Sequence, residues 1–126
     1  MAHMLHHVSL PVGDLHASAK LYDAALAGLG YRRVSGAVGF IGYGTEDGRD
    51  KFALVAVRTV SSPGAGFHLA FSATSIGSVD CFYQAALENG AADNGQPGLR
   101  PDYGASYYAA YIVDLDGHHI EAVCND

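Results

Sequence analysis

Basic side chains are scarce in this chain. Lys20, Lys51, Arg32, Arg33, Arg49, Arg58 and Arg100 stand against 13 acids, for a formal net charge of −6. They form no run, and affinity for a phosphate backbone needs clustered cations, so no nucleic-acid partner is expected. Cysteine is almost missing. Cys81 and Cys124 stand alone, without metal or redox spacing. A reduced cytoplasmic compartment suits them, with both thiols serving as small apolar residues. No apolar stretch reaches the ~20 residues that cross a bilayer, so no membrane partner is expected. No charged start followed by an apolar block marks a secretory signal. Met1-Ala-His3 reads as an added leader, with Met4 the natural start.

Apolar residues are plentiful, at 49% of 126 positions. That length and content predict one globular domain with a sizeable core. Sixteen glycines point to many turns and an open, β-rich structure. The strongest signal is internal. Residues 7–26 and 68–87 repeat one pattern at a fixed offset of 61, without a gap. His7 meets His68, Tyr22 meets Tyr83, and Ala24-Ala-Leu26 meets Ala85-Ala-Leu87. A chain with an internal repeat is read as a repeat first. Two histidines related by pseudo-symmetry can converge on one point, and a metal ion is the simplest occupant.

Leu5–Val12 alternates, with Val8, Leu10 and Val12 on a core face and His7 and Ser9 on the other. Asp14 is a helix N-cap, and Leu15, Ser18, Tyr22, Ala25, Leu26 and Leu29 follow at helical spacing. Val34–Tyr43 and Lys51–Val60 read as strands joined around Glu46-Asp47-Gly48, with a short extra strand near Tyr31–Val34. A linker at 61–66 separates this first module, about 4–60, from a second at about 67–124. There, Phe67, Leu69 and Phe71 make a core face. A helix spans about Ser75 to Asn89, with Ile76, Val79, Phe82, Tyr83, Ala86 and Leu87 inward. Asn94–Gly104, rich in glycine and proline, reads as a long loop. Ser106–Val113 and His118–Cys124 form a closing hairpin. Its turn, Asp114-Leu-Asp-Gly117, suits a type I turn with a glycine bulge. That turn sets Asp114 against His118 and Tyr111 against Glu121. Each half is therefore βαβββ, an α+β fold.

Glu121 shares strand parity with His119 and Val123, away from the core face of Ile120, Ala122 and Cys124. Two histidines and one carboxylate make a facial metal site with open positions. The ligands expected are His7, His68 and Glu121, for a divalent ion: zinc, iron, manganese or nickel. The other histidines carry less. His3 and His16 read as surface residues, His6, on the core-facing parity, as buried or at a strand end, His118 as a turn residue and His119 as a neighbour of the site. Tyr103, Tyr107, Tyr108 and Tyr111 cluster near the expected mouth. Tyr111 gains weight from its pairing with Glu121, as a phenol able to hydrogen-bond an oxyanion. Tyr103 and Arg100 are candidate substrate contacts.

The two βαβββ halves, the His7-Val-Ser-Leu-Pro-Val12 start and the Asp114-Leu-Asp-Gly-His-His-Ile-Glu121 end resemble the vicinal oxygen chelate superfamily. That group includes glyoxalase I, extradiol dioxygenases, fosfomycin-resistance thiol transferases and bleomycin-resistance proteins. The resemblance runs from Leu5 to Val123. It implies paired modules forming a cup around a metal that chelates neighbouring substrate oxygens, with its ligands on His7, His68 and Glu121.

The chain also departs from single members of the group. Phe52-Ala-Leu-Val-Ala-Val57 holds no acid or amide where glyoxalase I has a fourth ligand. Asn94–Tyr107 offers only Arg100 and Ser106 where fosfomycin transferases carry a serine-rich cation loop. Tyr111 stands ten residues before the glutamate, as in extradiol dioxygenases, without a counterpart of their acid–base histidine. The expectation is a metal-dependent lyase, isomerase or thiol transferase acting on a small oxygenated molecule. A drug-binding protein without turnover and a ring-cleaving dioxygenase are the alternatives. A homodimer is expected, its cups built within one chain or shared between two.

Overall fold

A computed structural model describes residues 4–61 and 63–126. The expected leader with His3, and Ser62 of the linker, lie outside the described residues. The order is β1 (Val8–Val12), α1 (Leu15–Ala27), β2 (Arg32–Ala37), β3 (Phe40–Gly44), β4 (Phe52–Ala56), β5 (Leu69–Ser72), α2 (Ile76–Glu88), β6 (Ala92–Leu99), β7 (Tyr108–Val113) and β8 (His119–Cys124). Two four-stranded sheets result, ordered β1-β4-β3-β2 and β5-β8-β7-β6. β1 runs parallel to β4 and β5 parallel to β8; the other pairings are antiparallel. This is βαβββ twice. The offset of 61 holds for the starts of β1 and β5 and for both ends of the helices. β8, by contrast, starts 67 residues after β4.

Local chemistry explains the elements. The Asp14 carboxylate accepts from Ala17 N at 3.0 Å and the Ser75 hydroxyl from Ser78 N at 3.1 Å, capping the two helices. Leu21, Tyr22, Ala25 and Leu26 of α1 and Val79, Phe82 and Ala86 of α2 are buried, with Leu10, Val12, Leu54, Ile112 and Ile120 from the strands. The helices approach closely because residue 28 is glycine. A Cβ there would lie 3.0 Å from Cys81 Cβ. Among the described residues no helix is long and apolar enough to cross a membrane.

Several strand boundaries differ from the pattern expectation. Val34–Tyr43 is not one strand but the end of β2 and most of β3, because the chain reverses at Val38-Gly39. Gly39 takes φ 77°, which costs glycine little and other residues more. The turn lacks Asn or Asp, so the apolar run hid it. β4 stops at Ala56 rather than Val60. Most of the expected loop Asn94–Gly104 is strand: β6 pairs with β7 through two register shifts. β6 is an edge strand, and an edge tolerates the missing N–H of Pro97. Its Gly95 lets the Tyr111 ring come within 2.8 Å of where a Cβ would stand. Phe67, expected in the core, is 40% exposed, and Ile76 is 51% exposed. Cys124 is buried but Cys81 is exposed, so only one thiol packs as a core residue.

Candidate active site

The Asp114–Gly117 turn forms as expected. Asp114 N donates to His118 O at 2.9 Å, and Gly117 N to Asp114 O at 3.2 Å. The Asp114 carboxylate fixes the turn by accepting from Asp116 N and His118 N at 3.0 and 2.9 Å. The register that follows pairs Tyr111 with Glu121 across β7 and β8, and Ala70 with Glu121 across β5 and β8.

Glu121 is only 1% exposed. A buried carboxylate is costly unless hydrogen-bonded, and both oxygens here are engaged. Oε1 lies 2.9 Å from His68 Nε2, and Oε2 accepts the Tyr107 hydroxyl at 2.5 Å. These three residues open onto a cavity of about 470 Å³ whose wall also includes Tyr103, Tyr111 and His119. Burial, then the bond to Glu121, holds the Tyr107 proton far above the usual phenol range. Tyr111 is also raised, by burial and by the Glu121 charge, with Arg100 opposing. The Arg100 guanidinium sits 5.3 Å from the Tyr111 ring centroid and donates to Gln96 O at 2.6 Å. Tyr103, 68% exposed, stands at the mouth, its ring edge-on to Tyr107 at 5.3 Å.

His7 is elsewhere. It is exposed at the foot of β1, its Nδ1 2.9 Å from His6 Nδ1. It lines a second cavity, of about 460 Å³, with Tyr31, Thr45, Lys51 and Phe71. One chain therefore brings together His68 and Glu121 but not His7. Among the described residues no three His, Cys, Asp or Glu are grouped to hold a metal. The pair that does meet fits a metal edge. Its 2.9 Å separation is close to the ~3.0 Å between neighbouring ligand atoms of a six-coordinate ion with ~2.1 Å bonds. The structural counterpart of Glu121 in the first module is Ala53, paired with Ser9 as Glu121 is with Ala70. No further acid stands there. His6, His16 and His119 are exposed.

Two residues were missed as functional by sequence. Tyr107 stood only as one aromatic among several, since nothing in its spacing announces a bond to Glu121. His118, expected as a turn residue, is 1% exposed and joins the modules, its Nε2 2.8 Å from Pro11 O. The same junction holds a Tyr22 hydroxyl donating to Asp114 Oδ2 at 2.6 Å and Gly13 N donating to Asp116 Oδ1 at 3.1 Å. Burial and the Asp114 charge keep the Tyr22 phenol protonated, well above its ordinary range. On the other side, the Tyr31 hydroxyl donates to Ser72 O at 3.0 Å. Pro11 and Ser72 are equivalent in the repeat, so each module's edge strand is capped by a ring from the other.

Comparison with known proteins adds the family. The model of the Glyoxalase/Bleomycin resistance protein/Dioxygenase superfamily matches residues 4–122. A glyoxalase/bleomycin resistance protein from Albidiferax ferrireducens T118 is 30% identical, with TM-score 0.85, covering 98% of this chain and 100% of its own. A glyoxalase-related enzyme from Fulvimarina pelagi superposes with TM-score 0.73 at 21% identity, over 98% of this chain and 89% of its own. A glyoxalase I mutant from Zea mays gives TM-score 0.71 at 25% identity, over 94% of this chain but 46% of its own. No curated protein matches. With its family model spanning nearly the whole chain, this protein belongs to the glyoxalase/bleomycin resistance protein/dioxygenase superfamily.

Proposed function

We propose that the protein is a metal-dependent, glyoxalase-like enzyme of the cytoplasm. It acts as a homodimer on a small oxygenated molecule, as a lyase, isomerase or thiol transferase. The observation that carries this is the His68–Glu121 pair, 2.9 Å apart at the floor of an aromatic-walled cavity. His7 completes the ligand set from a second copy, since its own cavity is a different one. A bound divalent ion would supply Lewis acidity toward neighbouring substrate oxygens. Tyr111, its proton held by burial and the Glu121 charge, donates a hydrogen bond to an oxyanion at the cavity wall. Tyr103 contacts substrate at the mouth. Arg100, held against the Tyr111 ring, steadies that ring and presents positive charge beside it.

Cobalt and zinc titrations of the purified protein test the reading. His68→Ala and Glu121→Ala are expected to abolish tight binding while the fold persists. A parent protein that takes up no divalent metal refutes the proposal and leaves the second reading, sequestration of a drug-like molecule, which the tyrosine-rich wall favours. Oxygen uptake with catechols, in iron-loaded protein, would instead identify a ring-cleaving dioxygenase.

A further inference from the structure

We infer that Tyr107 is a positioning residue that holds the Glu121 carboxylate so that only Oε1 faces the metal position. The inference rests on the function proposed above. Glu121 has two oxygens with different partners. Oε1 faces His68 Nε2 at 2.9 Å, whereas Oε2 takes the Tyr107 hydroxyl at 2.5 Å. That length lies in the charge-assisted range for a hydroxyl on a carboxylate. Tyr111, the cross-strand neighbour of Glu121, makes no such bond; the donor comes from 14 residues upstream.

The phenol is delivered by a loop tied at both ends. Arg100 N donates to Tyr107 O at 2.7 Å, and Tyr107 N donates to Gly104 O at 3.3 Å. Within the loop Tyr103 N donates to Arg100 O at 3.0 Å, and the Tyr103 ring braces Tyr107 from the side. Such anchoring matters because a donor on a mobile loop could not hold a carboxylate to a fraction of an ångström. Glu121 is 1% exposed, so solvent has little access to replace the phenol. Without it, Oε2 is free to turn toward the metal position or to lie unpaired. Hydrogen-bond partners of ligating groups typically carry about ten- to 100-fold in metal affinity.

The test is a chelator-competition titration of Co2+ on the intact protein, with its visible absorption recorded at saturation. Tyr107→Phe keeps the ring and removes only the hydroxyl. Tyr107 lies outside the buried core cluster, so the metal-free variant should melt within a few degrees of the parent. The expected result is about ten- to 100-fold weaker Co2+ binding and a changed absorption envelope, reporting a changed carboxylate mode. Equal affinity in parent and variant overturns the inference, and so does an unchanged spectrum at saturation. In either case the proposed function stands if His68→Ala still abolishes binding. A parent that takes up no Co2+ overturns both.

Discussion

Mixing two damaged chains should restore what neither has. On the proposed reading His7→Ala removes one ligand and His68→Ala another. His7 lines a different cavity from His68 and Glu121, so the proposed three-ligand site needs the first module of one chain and the second of its partner. In a mixed dimer one site loses both histidines and the other keeps both. Random subunit exchange makes about half of all dimers mixed, so about one quarter of the parental sites should return. Rearrangement inside one chain is the competing route, and the structure opposes it. It would break the bonds of Tyr22 to Asp114, His118 to Pro11 and Tyr31 to Ser72. Of these the Tyr22–Asp114 bond is fully buried, and leaving its partners unpaired would by itself cost about 1–3 kcal/mol, a sizeable part of a domain's stability. The assay is tight Co2+ binding per chain after exchange, with native mass spectrometry confirming mixed dimers. Each variant alone should bind almost none. No recovery among confirmed mixed dimers would refute the shared site, as would a parent that sediments as a monomer at micromolar concentration.

Other outcomes follow from contacts away from the site. Tyr22→Phe keeps the ring packed on Phe52 but strips Asp114 Oδ2 of its hydroxyl; chemical denaturation should show a loss of about 1–3 kcal/mol, and a change below about 0.5 kcal/mol would contradict the buried bond. Burial pushes the Asp23 carboxyl up, but hydrogen bonds from Arg33 and Tyr43 hold it below the usual carboxylate range. A lowered folded pKa stabilises above the unfolded value and is lost as pH falls through the folded one. Arg33→Gln should therefore cost about 0.5 kcal/mol at neutral pH, discounted for exposure, and show a shallower loss of stability below pH ~4 than the parent. Gly39→Val forces a β-branched residue to φ 77° in the β2–β3 turn; it should cost about 1–3 kcal/mol in the melt while leaving Co2+ affinity unchanged.

The repeat made the βαβββ order legible because it is written in residues that must be buried or must cap. Asp14 and Ser75 mark helix starts, and the spacing of Tyr22, Leu26, Val79 and Phe82 marks inward faces. The turn at Asp114 was legible because its geometry demands an acid first and a glycine fourth, and it carried the Tyr111–Glu121 register with it. Turns of unspecific chemistry were not legible. Val38-Gly39 reads as strand, and Gly95, Pro97 and Gly98 of β6 read as loop because an edge strand forgives residues that a central strand would not. Strand parity put Glu121 on the side away from the core, but not its burial, which comes from the aromatic wall over it. The bond from Tyr107 was hidden for a similar reason. It depends on how the loop from Arg100 to Tyr107 closes, which no spacing records.

The two modules keep the histidine and differ in everything beside it. Ser9 and Ala70 are equivalent in the repeat, and their partners are Ala53 and Glu121. The next strand over continues the contrast, with Gly42 against Ala53 and Tyr111 against Glu121. A side chain at residue 42 would collide with Ser35 and Asp50, which are bonded to each other at 3.0 Å. The first module thus has neither a carboxylate nor a phenol at this level, nor room for one at residue 42. On the proposed reading it gives the shared site His7, and the ligand set is two imidazoles and one carboxylate. A fourth protein ligand on β4 is excluded by Ala53, and the vacant positions of a three-ligand set are what two neighbouring substrate oxygens require. On that reading, asymmetry between the halves, rather than their likeness, is what equips one side of the proposed site and leaves open positions on the metal.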